Sequence, residues 1–149
     1  MDKKGIYLIL GIVVTVLFVL LRENVYYGLL YQGGGFSEDL VNCGVIMPIT
    51  LVMVAMAWGG AAIYYYVINS VKFDRWYHWL AVLAVVAVVT PVICYCINNA
   101  IFNSYDVEHG AEMINLELSN ILIEAILFTV ASFSMRWWSS NCRHTPIPQ

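Results

Sequence analysis

The carboxylates of Glu117 and Glu124, with the amide of Asn120 between them, are the groups in this chain whose types and spacing could do chemistry. They fall three and four residues apart, so on a helix they stack along one face. Thr90, Cys94 and Asn98 form a second row, four apart. A carboxylate beside amides and hydroxyls can hold a proton or a cation, or accept hydrogen bonds from a substrate. The same groups also serve as glue between membrane helices. Glu124 states the choice most sharply. Between Leu118 and Arg136 it is the one ionisable residue in the run LSNILIEAILFTVASFSMR. Such a group costs about 2.5–3.5 kcal/mol at the centre of an inserted helix. Either bundle hydrogen bonds or a function should offset that cost. Counted from residue 118, Glu124 lies about 10 Å inside the span.

Other chemistry finds little purchase. Asp106, Glu108, His109 and Glu112 share a polar stretch, but they make no known ligand spacing and read as a solvated acidic loop. The four cysteines include no CxxC and no zinc-type pairing with histidine. Cys94 and Cys96 are two apart and point to different helix faces, as small hydrophobes would. No metal and no cofactor is expected. The spans hold no serine–histidine pair, no HExxH and no paired aspartates, so the expectation is a protein that is not an enzyme.

The elements that must position these residues are membrane helices. Of 149 residues 61 % are hydrophobic and only 11 % charged, far below the roughly 25 % of soluble domains. The expected class is all-α: one polytopic membrane domain over residues 1–149, with four transmembrane helices and short loops. The first span is expected at about 5–21, ended by Arg22 and Glu23. Beyond it, the segment from Val25 to Leu30 keeps helical spacing and either prolongs the helix or lies at the membrane surface, with Tyr26, Tyr27 and Tyr31 at headgroup depth. Gly33, Gly34 and Gly35 make a break. The second span is expected at about 40–68, with Pro48 a possible kink. Ala55 with Gly59, and Ala57 with Ala61, are small-xxx-small pairs; with Gly60 they would let another backbone approach closely. The third span is expected at about 79–97, bent at Pro91, and the fourth at about 118–138.

Four spans place both termini on one side. That side carries Lys3, Lys4, Lys72, Arg75, Arg136 and Arg143, six of the seven basic residues. The other side carries Arg22 and an excess of acidic residues. The positive-inside rule therefore puts both termini in the cytoplasm. No asparagine opens a glycosylation sequon, which suits a bacterial inner membrane. In this orientation Glu124, Asn120, Glu117, Thr90, Cys94 and Asn98 all fall in the outer halves of their spans. They suggest an outward-facing polar pocket above a tightly packed apolar floor.

Two functions fit. The first is a non-enzymatic integral membrane subunit of an envelope assembly, packing against partner helices and exposing acidic outer loops. Its partners would be the lipid bilayer and other membrane proteins, or further copies of itself. The alternative is a small transporter or ion-coupled subunit that uses Glu124 in the polar pocket. No basic patch suggests nucleic acid.

Overall fold

The computed structural model describes residues 3–29 and 35–139, and within them the chain is all-helical. Helix α1 spans Lys3–Leu29 and the short α2 spans Phe36–Asn42. Helix α3 spans Ile46–Ala62 and widens into a π-helical turn over Ile63–Ile68. Helix α4 spans Trp76–Ser104, and α5 spans Ala111–Met135 before a tight turn over Arg136–Trp138. Four of these helices are long and apolar enough to cross a membrane.

Successive long helices run antiparallel. One end of the bundle joins the start of α1 to the ends of α3 and α5. There the Tyr7 and Trp137 rings stack at 5.1 Å, and the Tyr66 hydroxyl donates to the Met135 carbonyl at 2.7 Å. At the other end Phe36 of α2 packs on Phe102 of α4, with ring centroids 6.1 Å apart. Helix α5 packs against α1, α3 and α4, and α3 likewise touches both α1 and α4. Helix α5 is therefore the axis of the fold. It buries Leu116, Ile123, Leu127, Phe128 and Ala131 along with its polar row.

The helices outrun the apolar stretches from which they are recognised. Helix α1 runs on through Arg22 and Glu23, so the segment beyond them prolongs the helix. Arg22 reaches back to the Val19 carbonyl at 2.8 Å, which lets a charged residue sit within the helix. Helix α5 begins at Ala111, so Glu124 lies about 20 Å from its start, near the middle of the helix.

The largest departure lies at the second span. A continuous helix from residue 40 is not formed. Helix α2 ends in a Schellman turn: the Val45 amide bonds the Leu40 carbonyl at 3.1 Å and the Gly44 amide bonds the Val41 carbonyl at 3.0 Å. Gly44 carries φ +66°, a conformation that suits a residue without Cβ. Leu40 and Val45, the apolar pair of the motif, are both buried. Helix α3 then starts afresh, and Pro48 falls in its first turn, where an amide hydrogen has no helical partner to lose. Pro48 thus opens the helix and does not kink it. Pro91, by contrast, lies inside α4, which continues through it.

Small residues set the closest helix approaches, but not along the whole expected seam. Ala57 and Ala61 are fully buried. A Cβ on Gly60 would stand 2.7 Å from Val86 Cγ2 of α4 and 3.4 Å from Phe128 Cε2 of α5. Ala55 is exposed, and a Cβ on Gly59 would meet nothing within 4 Å. The packing seam of α3 is therefore Ala57, Gly60 and Ala61, while Ala55 and Gly59 look outward. Positions two apart lie about 200° apart around a helix, so only one of the two small pairs can face the bundle. Gly11 plays the matching role in α1, where a Cβ would collide with the Ser134 hydroxyl of α5.

Candidate functional site

Four helices contribute to one buried polar cluster. On α5, Glu117 accepts hydrogen bonds through both oxygens: from Asn98 Nδ2 of α4 at 2.6 Å and from Asn120 Nδ2 at 2.8 Å. Asn120 in turn accepts from the Tyr26 hydroxyl of α1 at 2.8 Å. Met53 Sδ of α3 lies 3.3 Å from the same hydroxyl. A Tyr26–Asn120–Glu117–Asn98 chain thus ties α1, α5 and α4 together. About two turns deeper than Glu117, the Thr90 hydroxyl donates to Glu124 Oε1 at 3.2 Å. Cys94, fully buried, occupies the level between Thr90 and Asn98 on α4. The four-residue spacing turns all three α4 side chains toward α5.

Not every acceptor is served. Glu124 Oε2 and Asn98 Oδ1 are buried and have no hydrogen-bond partner among the described residues. A carboxylate oxygen left bare in an apolar bundle needs a proton, a water or a cation to complete it. The arrangement can therefore hold a neutral acid or bind a small cation at Glu124. The Glu117 end is the part already satisfied by amides.

The cluster is not the open, outward-facing pocket that the sequence suggests. Tyr26, Thr90, Cys94, Asn98, Asn120 and Glu124 are all buried. Phe36, Leu40, Phe102 and Leu116, also buried, form an apolar layer toward the α2 end. Short α2 packs over that end of the bundle, Phe36 against Phe102. Glu117 alone among the cluster is partly exposed, and it faces sideways into a groove between α4 and α5.

Tyr26 is the member that sequence reasoning misses. It is 1 % exposed, packed inside the bundle, whereas its neighbour Tyr27 is exposed. A signal existed: Gly11, Thr15 and Tyr26 are four and eleven apart, one helix face, and they are the buried positions of α1 among its described residues. On the same face the Trp58 Nε1 of α3 donates to Thr15 Oγ1 at 3.1 Å.

Of the residues in the acidic stretch, His109 makes a defined contact. His109 Nε2 lies 3.0 Å from Asp39 Oδ2, and its ring sits edge-on to Phe36 and Phe102, with centroids 4.7 and 5.2 Å away. This contact fastens α2 to the α4–α5 connection. Among the described residues no three histidine, cysteine, aspartate or glutamate side chains gather to hold a metal. Cys43, Cys94 and Cys96 are free thiols. Cys142 and Arg143 lie outside the described residues, as does most of the triple glycine.

The class defined by this fold is a four-helix membrane protein with a buried acid–amide cluster. The chain matches no known family model, no characterised protein and no solved structure.

Proposed function

We propose that this protein is a non-enzymatic integral membrane subunit that docks to other membrane proteins. We place it in a bacterial inner membrane with both termini in the cytoplasm. The charge distribution supports that orientation. Lys4, Lys72 and Arg75 are exposed at one end of the bundle, while Glu23, Glu38, Asp106 and Glu108 are exposed at the other. The observation that carries the subunit reading is the placement of α1. This 27-residue helix buries only Gly11, Thr15 and Tyr26 among its described side chains. An apolar groove flanks it on each side. One, of about 310 Å³, lies between Leu10 and Val14 of α1 and Phe133 of α5. The other, of about 300 Å³, lies between Ile12 and Val16 of α1 and Trp58 of α3. In lipid, helices associate through such shape complementarity, because tails and side chains are equally apolar. Glu124 has no part in this docking, since it is sealed within the chain.

The test is the composition and native mass of the particle extracted in mild detergent through a small C-terminal tag. Other membrane proteins should co-purify in fixed ratio. A particle holding this chain alone, as monomer or homo-oligomer, would remove the subunit reading.

A second reading, an ion-coupled carrier, is favoured by the bare Oε2 of Glu124. A buried carboxylate with one oxygen unpartnered is suited to taking up and releasing a proton. In proteoliposomes loaded with a pH-sensitive dye, this reading expects a protein-dependent proton flux that Glu124→Gln abolishes. The substitution keeps the side chain's volume and its acceptor for Thr90. Flux unchanged by it would rule the carrier reading out.

A further inference from the structure

We infer that α2 is a hinged cap over the polar cluster, fastened by a clasp between His109 and Asp39 whose grip depends on the charge of the imidazole. This rests on neither functional reading above. Helix α2 has seven residues, too few to be stable alone, so its place is set by what it touches. Phe36 and Leu40 give it an apolar seat, and both are buried. Ser37 and Leu40 meet Tyr26 of the cluster and Ile46 of α3 around a crevice with no room for a water molecule. Asn98 Oδ1 and Glu124 Oε2, unpartnered among the described residues, are what a lifted cap would open to water. On its other side α2 is parted from α3 by Gly44, at φ +66°. A glycine at that break lets α2 swing without moving the span that follows.

The clasp joins α2 to the α4–α5 connection. An ionised Asp39 can only accept, so the His109 Nε2–H donates across the 3.0 Å. The ring stands edge-on to Phe36 and Phe102, so the residue that seats the cap also orients the clasp. Both partners keep some contact with water, and the ring can exchange protons with the medium. The charges around it are mostly negative. Glu38 neighbours Asp39 on α2, Asp106 and Glu108 lie with Tyr105 in the connection, and Glu112 opens α5. Cys43, at the end of α2, is close enough to Asp39 to feel its charge. Arg22 of α1, the one basic side chain at this end among the described residues, is turned to the Val19 carbonyl and to Glu23. A protonated His109 is therefore the cation between two sets of carboxylates, one on α2 and one on the connection. A neutral His109 keeps a single hydrogen bond and leaves the two sets to repel each other. Imidazole changes charge between about pH 5 and 8. The clasp holds below that range and loosens above it.

The test uses the full chain in nanodiscs. Cys43→Ser, Cys96→Ser and Cys142→Ser leave the buried Cys94 of the cluster as the one thiol. The probe is a methanethiosulfonate with a fixed trimethylammonium charge, which arrives from water and not through lipid. Its rate of attack on Cys94 is compared, at each pH, with the rate in the same chain carrying Asp39→Asn, so the thiol's own ionisation cancels. At about pH 5.5 Asp39→Asn should speed labelling about tenfold, the order of one charge-assisted contact; at about pH 8.5 the two rates should come within about threefold. His109→Gln should behave in the same way. Phe36→Ala removes the seat, leaves the clasp, and should speed labelling at both pH values. An equal effect of Asp39→Asn at both pH values would mark a contact that does not sense protons and overturn the clasp. Rates unmoved by Asp39→Asn and His109→Gln would overturn it too. If Cys94 stays unlabelled in every variant, Phe36→Ala included, α2 opens no route to the cluster and the cap itself is overturned.

Discussion

Replacing Asn120 with leucine should cost about 2–3 kcal/mol of folding stability, because two buried polar groups lose a partner at once. Leucine shares the branched outline and side-chain heavy-atom count of asparagine, so the lost hydrogen bonds are the main term. What is lost is the link between helices. The Tyr26 hydroxyl keeps only the weak acceptor Met53 Sδ, and Glu117 Oε2 loses its amide. Interhelical hydrogen bonds in membranes average about 0.6 kcal/mol in double-mutant cycles, since unfolded helices find other partners in the bilayer. A single pairwise bond here should be of that size. Asn120 exceeds it because it bridges two partners on different helices. Denaturation by dodecyl sulfate, followed by circular dichroism or tryptophan fluorescence, reads the difference. Tyr26→Phe should cost less, about 1 kcal/mol. Combined with Asn120→Leu it should add less than its own cost, since the two remove the same bond. Strict additivity would mean that the Tyr26–Asn120 bond contributes nothing. Ser119→Ala, one residue away, removes only a bond to the Asn115 carbonyl of its own helix and should barely register.

An effect of similar size should separate two adjacent glycines. Gly60→Leu is expected to cost about 3 kcal/mol, the upper range for overpacking, and to lower the yield of folded protein. Its first added carbon already meets Val86 Cγ2 at 2.7 Å. Valine is branched at Cβ and has few rotamers to yield with. Phe128 stands behind it, in ring contact with Trp79 at 5.9 Å, so the crowded position has no free volume to absorb a side chain. Gly59→Leu should be neutral within about 0.5 kcal/mol, because its Cβ would meet nothing within 4 Å. Comparable losses at both positions would mean that α3 is rotated from the orientation described.

These glycines also show what the sequence could and could not reveal. Four long apolar stretches were legible, since no other use of such composition is available to 149 residues. So was the grouping of the two polar rows. A period of four puts Thr90, Cys94 and Asn98 on one face, and spacings of three and four do the same for Glu117, Asn120 and Glu124. What the spacing leaves open is rotation. Ala55 and Gly59 match a packing motif as well as Ala57 and Ala61 do, and apolar neighbours on every side give no moment to choose between them. Helix ends were hidden for a related reason. Hydropathy reports the hydrocarbon layer, not the hydrogen-bonded helix, so α1 and α5 each extend about two turns into sequence that reads as boundary. Tyr26 and Glu117 lie in those extensions. The break at Gly44 was hidden because Val41, Val45 and Ile46 are as apolar as the span that follows. Only the positive φ of a glycine marks the turn.

That turn has a consequence for how the molecule meets its surroundings. It folds α2 back so that Phe36 and Leu40 stand, with Phe102, between the carboxyl cluster and the water beyond. They act as insulation. Dissolved electrolyte screens charges it can surround, within about 8 Å at physiological ionic strength, and here it is kept from surrounding them. The acidic rim of Glu38, Asp106 and Glu108 will respond to the salinity of the medium. The carboxyls beneath, shielded from that electrolyte, will not.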